Sequence, residues 1–265
     1  MGEHRRDADA PGRRPDRVLV IVPAYQEEEA LPGVLKELAE EVPGYDVLVV
    51  DDGSRDATSE VARAAGVPVA PLPFNLGVGG ALRVGFLYAL RHGYDRAAQF
   101  DGDCQHDGTE IPRLLAALDA GVDLVIGSRF AAGGADDASE AGDAGPDDYP
   151  VGRTRRAAMR LLERIVLLLS GQRLTDTSSG FRGFSASLIE YFALNYPVEY
   201  LGDTVEALLL AHYAGFEIAE VRVAMRHRVG GTPSTRNLRL AYHYCRLIVV
   251  LGASASRPRA RGRSR

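Results

Sequence analysis

Val18-Leu19-Val20-Ile21-Val22 is a run of five apolar residues with no polar residue at alternate positions. A strand with that pattern is buried on both faces, as happens in parallel sheets covered by helices on either side. The next segment, Glu28 to Glu41, sets Leu31, Val34, Leu35 and Leu38 on one helical face. A second apolar run, Val47-Leu48-Val49-Val50, follows Asp46. The alternation continues with a predicted helix over 56–65, a strand over 67–70, a helix ending at His92 and a strand ending at Phe100. A helix beyond Thr109, taken as its cap, and a strand over 123–126 complete the count. Short connections between alternating strands and helices select an α/β fold with a mostly parallel, doubly wound sheet.

Such sheets bind ligands beyond the carboxyl ends of their strands. Pro23-Ala24-Tyr25-Gln26-Glu27 leaves the first strand, Asp51-Asp52-Gly53-Ser54 the second, and Asp101-Gly102-Asp103-Cys104-Gln105-His106-Asp107 the fourth. Asp101 and Asp103 repel each other unless a cation lies between them, and a hard divalent ion is the simplest candidate. Gln105 can add a carbonyl oxygen and His106 a nitrogen. Taken alone, the same residues make an ordinary acidic turn. A carboxylate at 51 or 52 can accept hydrogen bonds from a base or ribose, and Tyr25 can pack on the base. A dinucleotide-binding dehydrogenase also carries an acid there, but it requires Gly-x-Gly-x-x-Gly after strand one, and that turn has no glycine. Asn75-x-Gly77-x-Gly79-Gly80 opens a helix whose N–H groups can meet an anion, or whose glycines simply allow tight packing. Arg129 leaves the fifth strand at the same edge. Arg153, Arg155 and Arg156, then Arg226 and Arg228, add guanidinium groups suited to phosphate.

Charge is distributed unevenly. Residues 257–265 carry five arginines and no acid, leaving 26 basic against 36 acidic residues elsewhere. That pattern suits a basic tail at a surface and argues against a nucleic-acid-binding domain. The segments 153–170 and 236–256 read as amphipathic helices, with arginines beside apolar residues, and fit an anionic membrane surface. Residues 1–16 have little to bury and are expected to be disordered. The Ala/Gly/Asp-rich stretch 131–150 is expected to be a flexible loop. Cys104 and Cys245 make neither a disulfide framework nor a metal-ligand spacing, which suits a reducing cytoplasm. With no leader-like segment and no apolar run near the ~20 residues of a bilayer span, the expected location is cytoplasmic, peripheral on the inner face of the cell membrane.

Read together, Pro23-Ala24-Tyr25-Gln26-Glu27-Glu28, Val50-Asp51-Asp52-Gly53-Ser54, Asn75-x-Gly77-x-Gly79, Asp101 to Asp107, Gly127-Ser128-Arg129 and Asp176-x-x-Ser179-Gly180-Phe181-Arg182 fall in the order of family 2 glycosyltransferases. The chain resembles their dolichol-phosphate mannose synthase branch, over roughly Val18 to Leu251. The resemblance implies a Rossmann-like GT-A domain over 17–235, which includes an acceptor loop over 131–150 and an interfacial helix over 153–170, followed by a C-terminal amphipathic helix over 236–256. It also implies a GDP- or UDP-linked sugar donor, Mg²⁺ or Mn²⁺, a polyprenyl-phosphate acceptor and inversion at the sugar. Carried over, Asp101, Asp103 and Gln105 resemble the metal ligands. Pro23, Ala24, Tyr25, Glu27, Asp51, Asp52, Gly79 and Gly102 resemble the donor-binding positions, which Asp101 and Asp103 share. Arg129 with Arg153, Arg155 or Arg156 corresponds to acceptor-phosphate contacts, and Arg228 to a diphosphate contact. Asp203 is the candidate base if the acceptor is a hydroxyl rather than a phosphate. A non-catalytic nucleotide-binding relative is the remaining alternative, and a small membrane-anchored partner is a further expectation. Cys104 stands where the family usually has a smaller residue, often Gly.

Overall fold

In the computed structural model, which describes residues 17–102, 104–129, 131, 164, 166–168, 170–171, 174–177, 179–197, 203–224 and 226, seven strands form one sheet. The segment 1–16, nearly all of the expected loop 131–150, most of the expected helix 153–170, the expected helix 236–256 and the tail 257–265 lie outside the described residues. So do Asp103, Arg153, Arg155, Arg156, Arg228 and the side chain of Asp203. Among the described residues no helix is long and apolar enough to cross a membrane.

The elements in chain order are β1 (Val18–Ala24), α1 (Leu31–Glu41), β2 (Asp46–Asp51), α2 (Thr58–Ala64), β3 (Val69–Pro71), α3 (Val78–His92) and β4 (Arg96–Gln99). They are followed by α4 (Ile111–Asp119), β5 (Leu124–Ser128), β6 (Arg182–Ser185), α5 (Ala186–Asn195), α6 (Asp203–Tyr213) and β7 (Ile218–Arg222). The sheet order is β3-β2-β1-β4-β6-β5-β7. Every neighbouring pair is parallel except those of β6, which runs antiparallel to both β4 and β5.

The unbroken apolar runs are explained by two cores. Along β1, Leu19 and Ile21 face a layer containing Leu82, Phe86 and Phe192, whereas Val18, Val20 and Val22 face one containing Leu31, Leu35 and Leu114. Successive side chains of a strand point to opposite faces, so a strand between two helical layers must be apolar at every position. On the first face, Phe86 of α3 meets Phe184 of β6 edge-on at 4.8 Å, and Tyr196 meets Phe192 at 4.9 Å. This aromatic cluster ties α3 and α5 to the inserted strand. Gly85 brings α3 close to β1, since a Cβ there would lie 2.5 Å from Ile21 Cγ2.

Among the elements, the structure departs from the sequence reading in a strand and in a cap. Residues 182–185, outside the strands predicted from the sequence, form the interior strand β6. Asp107 rather than Thr109 caps the turn after the acidic loop, its carboxylate accepting the Thr109 N–H at 3.0 Å.

Gly53 shows how tightly the β2 exit is built. It has φ +73°, and a Cβ there would stand 2.6 Å from the Phe74 carbonyl carbon and 2.8 Å from the Asn75 nitrogen. Backbone on the far side cannot rotate out of the way. Gly53→Ala is therefore expected to destabilise the fold by about 3 kcal/mol, combining left-handed strain with overpacking. Denaturant unfolding measures this, and an unchanged midpoint would refute it.

Candidate active site

The strand ends converge because β1, β2, β4 and β5 all run the same way, whereas β6 runs against them. The segment that leads into β6 is therefore delivered to the edge where β4 and β5 end. Gln99 pairs with Arg182 across β4–β6, and Ile126 pairs with Arg182 across β5–β6. Residues 174–177 and 179–181 are thereby set between Asp101 and Arg129.

Asp101 is held on several sides. The Gln99 amide donates to its Oδ1 at 2.9 Å. The backbone N–H of Asp101 donates to His106 Nδ1 at 3.1 Å, and His106 Nε2 lies 3.7 Å from Asp101 Oδ2. His106 is buried, stacks on Phe181 at 4.8 Å and meets Phe100 edge-on at 5.4 Å. The sequence leaves it able to add a nitrogen to a metal; in the structure Nδ1 accepts a backbone proton and Nε2 faces the carboxylate. Gly180 closes the remaining side, since a Cβ there would stand 2.5 Å from Asp101 Oδ2 and 3.0 Å from Gln99 Nε2. Only a residue without a side chain lets this segment approach so closely.

The segment itself is anchored from below. Arg182, fully buried, donates from Nε to the Ser179 carbonyl at 2.8 Å and from Nη2 to the Thr177 carbonyl at 3.1 Å. Glu220 of β7 accepts the Asp176 N–H at 2.9 Å and the Thr175 N–H at 2.7 Å. Arg129 makes a forked pair with buried Asp176, Nε to Oδ2 at 2.8 Å and Nη2 to Oδ1 at 3.1 Å. Asp176 thus fixes the plane of the guanidinium. Gly127 clears space for Phe181, whose ring carbon would lie 2.8 Å from a Cβ there.

The β1 and β2 exits are fastened to each other. Ser54 Oγ accepts the Gln26 N–H at 2.9 Å, Thr58 Oγ1 accepts the Glu27 N–H at 3.0 Å, and Glu28 returns a bond to the Ala57 N–H at 2.8 Å. Gln26 takes φ 56° within this clasp. Tyr25 projects outward, 41% exposed, as a ring available for stacking. Asp51 accepts the Ser54 N–H at 2.9 Å and the Ser59 hydroxyl. Asp52 accepts the Leu76 N–H at 2.7 Å and the Gly77 N–H at 2.8 Å, pinning the turn that opens α3. Burial raises the Asp52 pKa, and those two amides partly offset the rise. Both carboxylates are almost fully buried. Gly79 lies buried in the first turn of α3. Gly102 reaches across to β1, its hypothetical Cβ 3.5 Å from the Pro23 carbonyl oxygen, 3.6 Å from Glu27 Cγ and 3.9 Å from Ala24 Cβ.

Beyond Asp101 the loop turns sharply. Cys104 has φ 61°, which explains why glycine suits this position, and its Sγ donates to the Ala30 carbonyl at 3.6 Å. Burial alone would raise the Asp107 pKa, but hydrogen bonds from Thr109 and the Arg226 guanidinium outweigh it and hold the carboxyl below its usual range.

Among the described residues no group of three or more His, Cys, Asp or Glu forms a ready-made metal cage. The donor set around Asp101 instead suits a hard ion that takes few protein oxygens. Gly180 presents no side chain to Asp101 Oδ2, which His106 Nε2 faces from the other side at 3.7 Å, and Gln99 Oε1, buried beside it, has no hydrogen-bond partner among the described residues. Mg²⁺ and similar ions bind in this way, completing their shell from substrate phosphates and water.

The mostly parallel sheet with one antiparallel strand, flanked by helices, agrees with the expected GT-A glycosyltransferase fold. Glycosyl transferase family 2 matches residues 19–192, and the chain belongs to that family. It is 38% identical to an undecaprenyl-phosphate mannosyltransferase of Micrococcus luteus over 68% of this chain and 70% of the relative. It is 31% identical to a polyprenol monophosphomannose synthase of Mycolicibacterium smegmatis over 82% and 80%. In fold it is similar to glucosyl-3-phosphoglycerate synthase of Mycobacterium tuberculosis in complex with uridine diphosphate, with TM-score 0.66 and 20% identity, covering 93% of this chain and 82% of that one.

Proposed function

We propose that the protein transfers a hexose, mannose or glucose, from a GDP- or UDP-linked donor to a polyprenyl phosphate with inversion at the sugar. The Asp101 carboxylate, held by Gln99 and His106 and faced by Gly180, is the observation that carries the reading. The two mannosyltransferase relatives supply the acceptor class by name.

Asp101, Asp103 and Gln105 would hold Mg²⁺ or Mn²⁺, and such an ion when bound stabilises negative charge on a leaving diphosphate. In the proposed arrangement Tyr25 stacks on the base, and Pro23, Ala24, Glu27, Gly79 and Gly102 line the donor cleft whose wall Asp51 and Asp52 support. Arg228 meets the diphosphate. Arg129, oriented by Asp176, meets the acceptor phosphate with one of Arg153, Arg155 and Arg156. A preset guanidinium loses less freedom on binding than a free one. A phosphate monoester is already largely ionised at neutral pH, so its oxygen can attack without a general base. Asp203 becomes the base only if a hydroxyl is the acceptor. The helices 153–170 and 236–256 and the tail from Arg257 would rest on the anionic inner face of the membrane, with or without a small membrane-anchored partner.

The test offers GDP-mannose, UDP-glucose or UDP-N-acetylglucosamine with Mn²⁺ to the full chain, and polyprenyl phosphate or polyprenol in anionic vesicles. Glycosyl-phospholipid is expected from the phosphate and none from the alcohol. Transfer to the alcohol or to a soluble sugar, with none to the phosphate, would overturn the acceptor assignment.

A further inference from the structure

The segment leaving β7 crosses back over the acidic loop, although β6 and β5 separate β7 from β4 in the sheet. The Val223 N–H donates to the Ser128 carbonyl at 3.1 Å, Ala224 N–H to Glu110 Oε1 at 3.2 Å, and Arg226 N–H to the Gln105 carbonyl at 2.8 Å. The Arg226 guanidinium then forks, Nη1 to Glu37 Oε2 at 2.7 Å and Nη2 to Asp107 Oδ2 at 3.0 Å. The other oxygen of each carboxylate holds the loop. Glu37 Oε1 accepts the Gly108 N–H at 2.7 Å, and Asp107 Oδ1 accepts the Thr109 N–H at 3.0 Å. The contacts close a ring around residues 105–109.

We propose that Arg226 is a positioning residue for the metal-binding loop, fastening the β7 exit and α1 to it so that Gln105 and the acidic pair are presented in a fixed geometry. This rests on the reading that residues 101–107 hold the divalent ion. The sequence pattern groups Arg226 with Arg228 as phosphate-binding charge, whereas the structure gives its guanidinium to two carboxylates of the protein's own. Cys104, one residue before Gln105, has a left-handed backbone, and a non-glycine residue keeps such a conformation only when its surroundings over-determine it. Glu37 and Asp107 have side chains only 15% and 21% exposed, so without the cation two poorly solvated carboxylates face each other and push α1 and the loop apart.

A charge effect and a positioning effect predict opposite signs. Removing a nearby cation should tighten Mn²⁺ binding if Arg226 acts only through its field, and weaken it if Arg226 sets the loop. Arg226→Gln and Arg226→Lys would be titrated with Mn²⁺ alone, followed by electron paramagnetic resonance, and hydrogen exchange of residues 100–110 would be recorded without metal. Both variants are expected to weaken Mn²⁺ binding about tenfold, as loss of a supporting residue around a metal site does. Lysine should not rescue, because one ammonium cannot fork to both carboxylates. Exchange at Gly108 and Thr109 should accelerate while α3 keeps its protection. Equal or tighter Mn²⁺ binding, or recovery by lysine, would overturn the proposal. Glu37→Gln, which cuts one arm and keeps the arginine, should also speed exchange at Gly108, and unchanged exchange there would count against the clasp. If the unaltered protein binds no Mn²⁺, the metal reading fails, and the exchange data alone decide the clasp.

Discussion

Asp101→Asn is expected to lower turnover about 1,000-fold or more while leaving the fold intact. The substitution keeps the shape of the side chain and removes one negative charge where an ion and a diphosphate are proposed to meet. An interaction worth about 4 kcal/mol in the transition state corresponds to roughly that factor. Packing should survive, because the Gln99 amide can still donate to the remaining carbonyl oxygen and the His106 ring stays between Phe100 and Phe181. Turnover at saturating Mn²⁺, alongside the melting temperature, checks both halves. Activity within tenfold of the unaltered protein would remove Asp101 from the reaction.

Gly180→Ala is expected to reduce kcat/KM about 100-fold by a purely steric route. Gly180 does not have a left-handed backbone, so alanine can adopt its conformation. The new methyl would instead meet Asp101 Oδ2 at 2.5 Å and Oδ1 at 3.1 Å. The segment carrying it cannot easily withdraw, since buried Arg182 grips the Ser179 and Thr177 carbonyls and Glu220 grips two amides upstream. The carboxylate must turn, and misplacing a reacting group by about 1 Å can cost about 100-fold. Gly44→Ala is the control, since nothing lies within 4 Å of a Cβ there and its activity should not change. Unaltered kcat/KM in Gly180→Ala would show that Asp101 does not need its observed orientation.

The two substitutions differ in how much of their rationale can be read along the chain. Asp101 stands out in one dimension, because carboxylates at i and i+2 after an apolar strand carry a recognisable chemistry. Gly180 was visible only as one letter of a motif, since its importance lies in an oxygen belonging to a residue 79 positions earlier. The same holds for Asp176. Its buried pairing with Arg129 has no local signature, although the sequence had already placed Arg129 at the right edge. His106 was legible as a member of the acidic loop, but its stacking on Phe181 was not, because a ring's surroundings come from distant segments.

The sequence by itself determined the layered α/β class, the run of strands and helices from Val18 to Ser128 and the edge on which the chemistry gathers. Those features follow from periodicity and from residues at strand ends, which are local properties. The tertiary structure alone decided that Arg182–Ser185 is an antiparallel strand in the middle of the sheet. Four residues containing a glycine and an arginine have no apolar period of their own, and hydrogen bonds to β4 and β5 on either side make them a strand. Only that insertion carries Gly180 to Asp101 and Asp176 to Arg129. Contacts between distant segments depend on how strands are ordered, and no single stretch of sequence encodes that order.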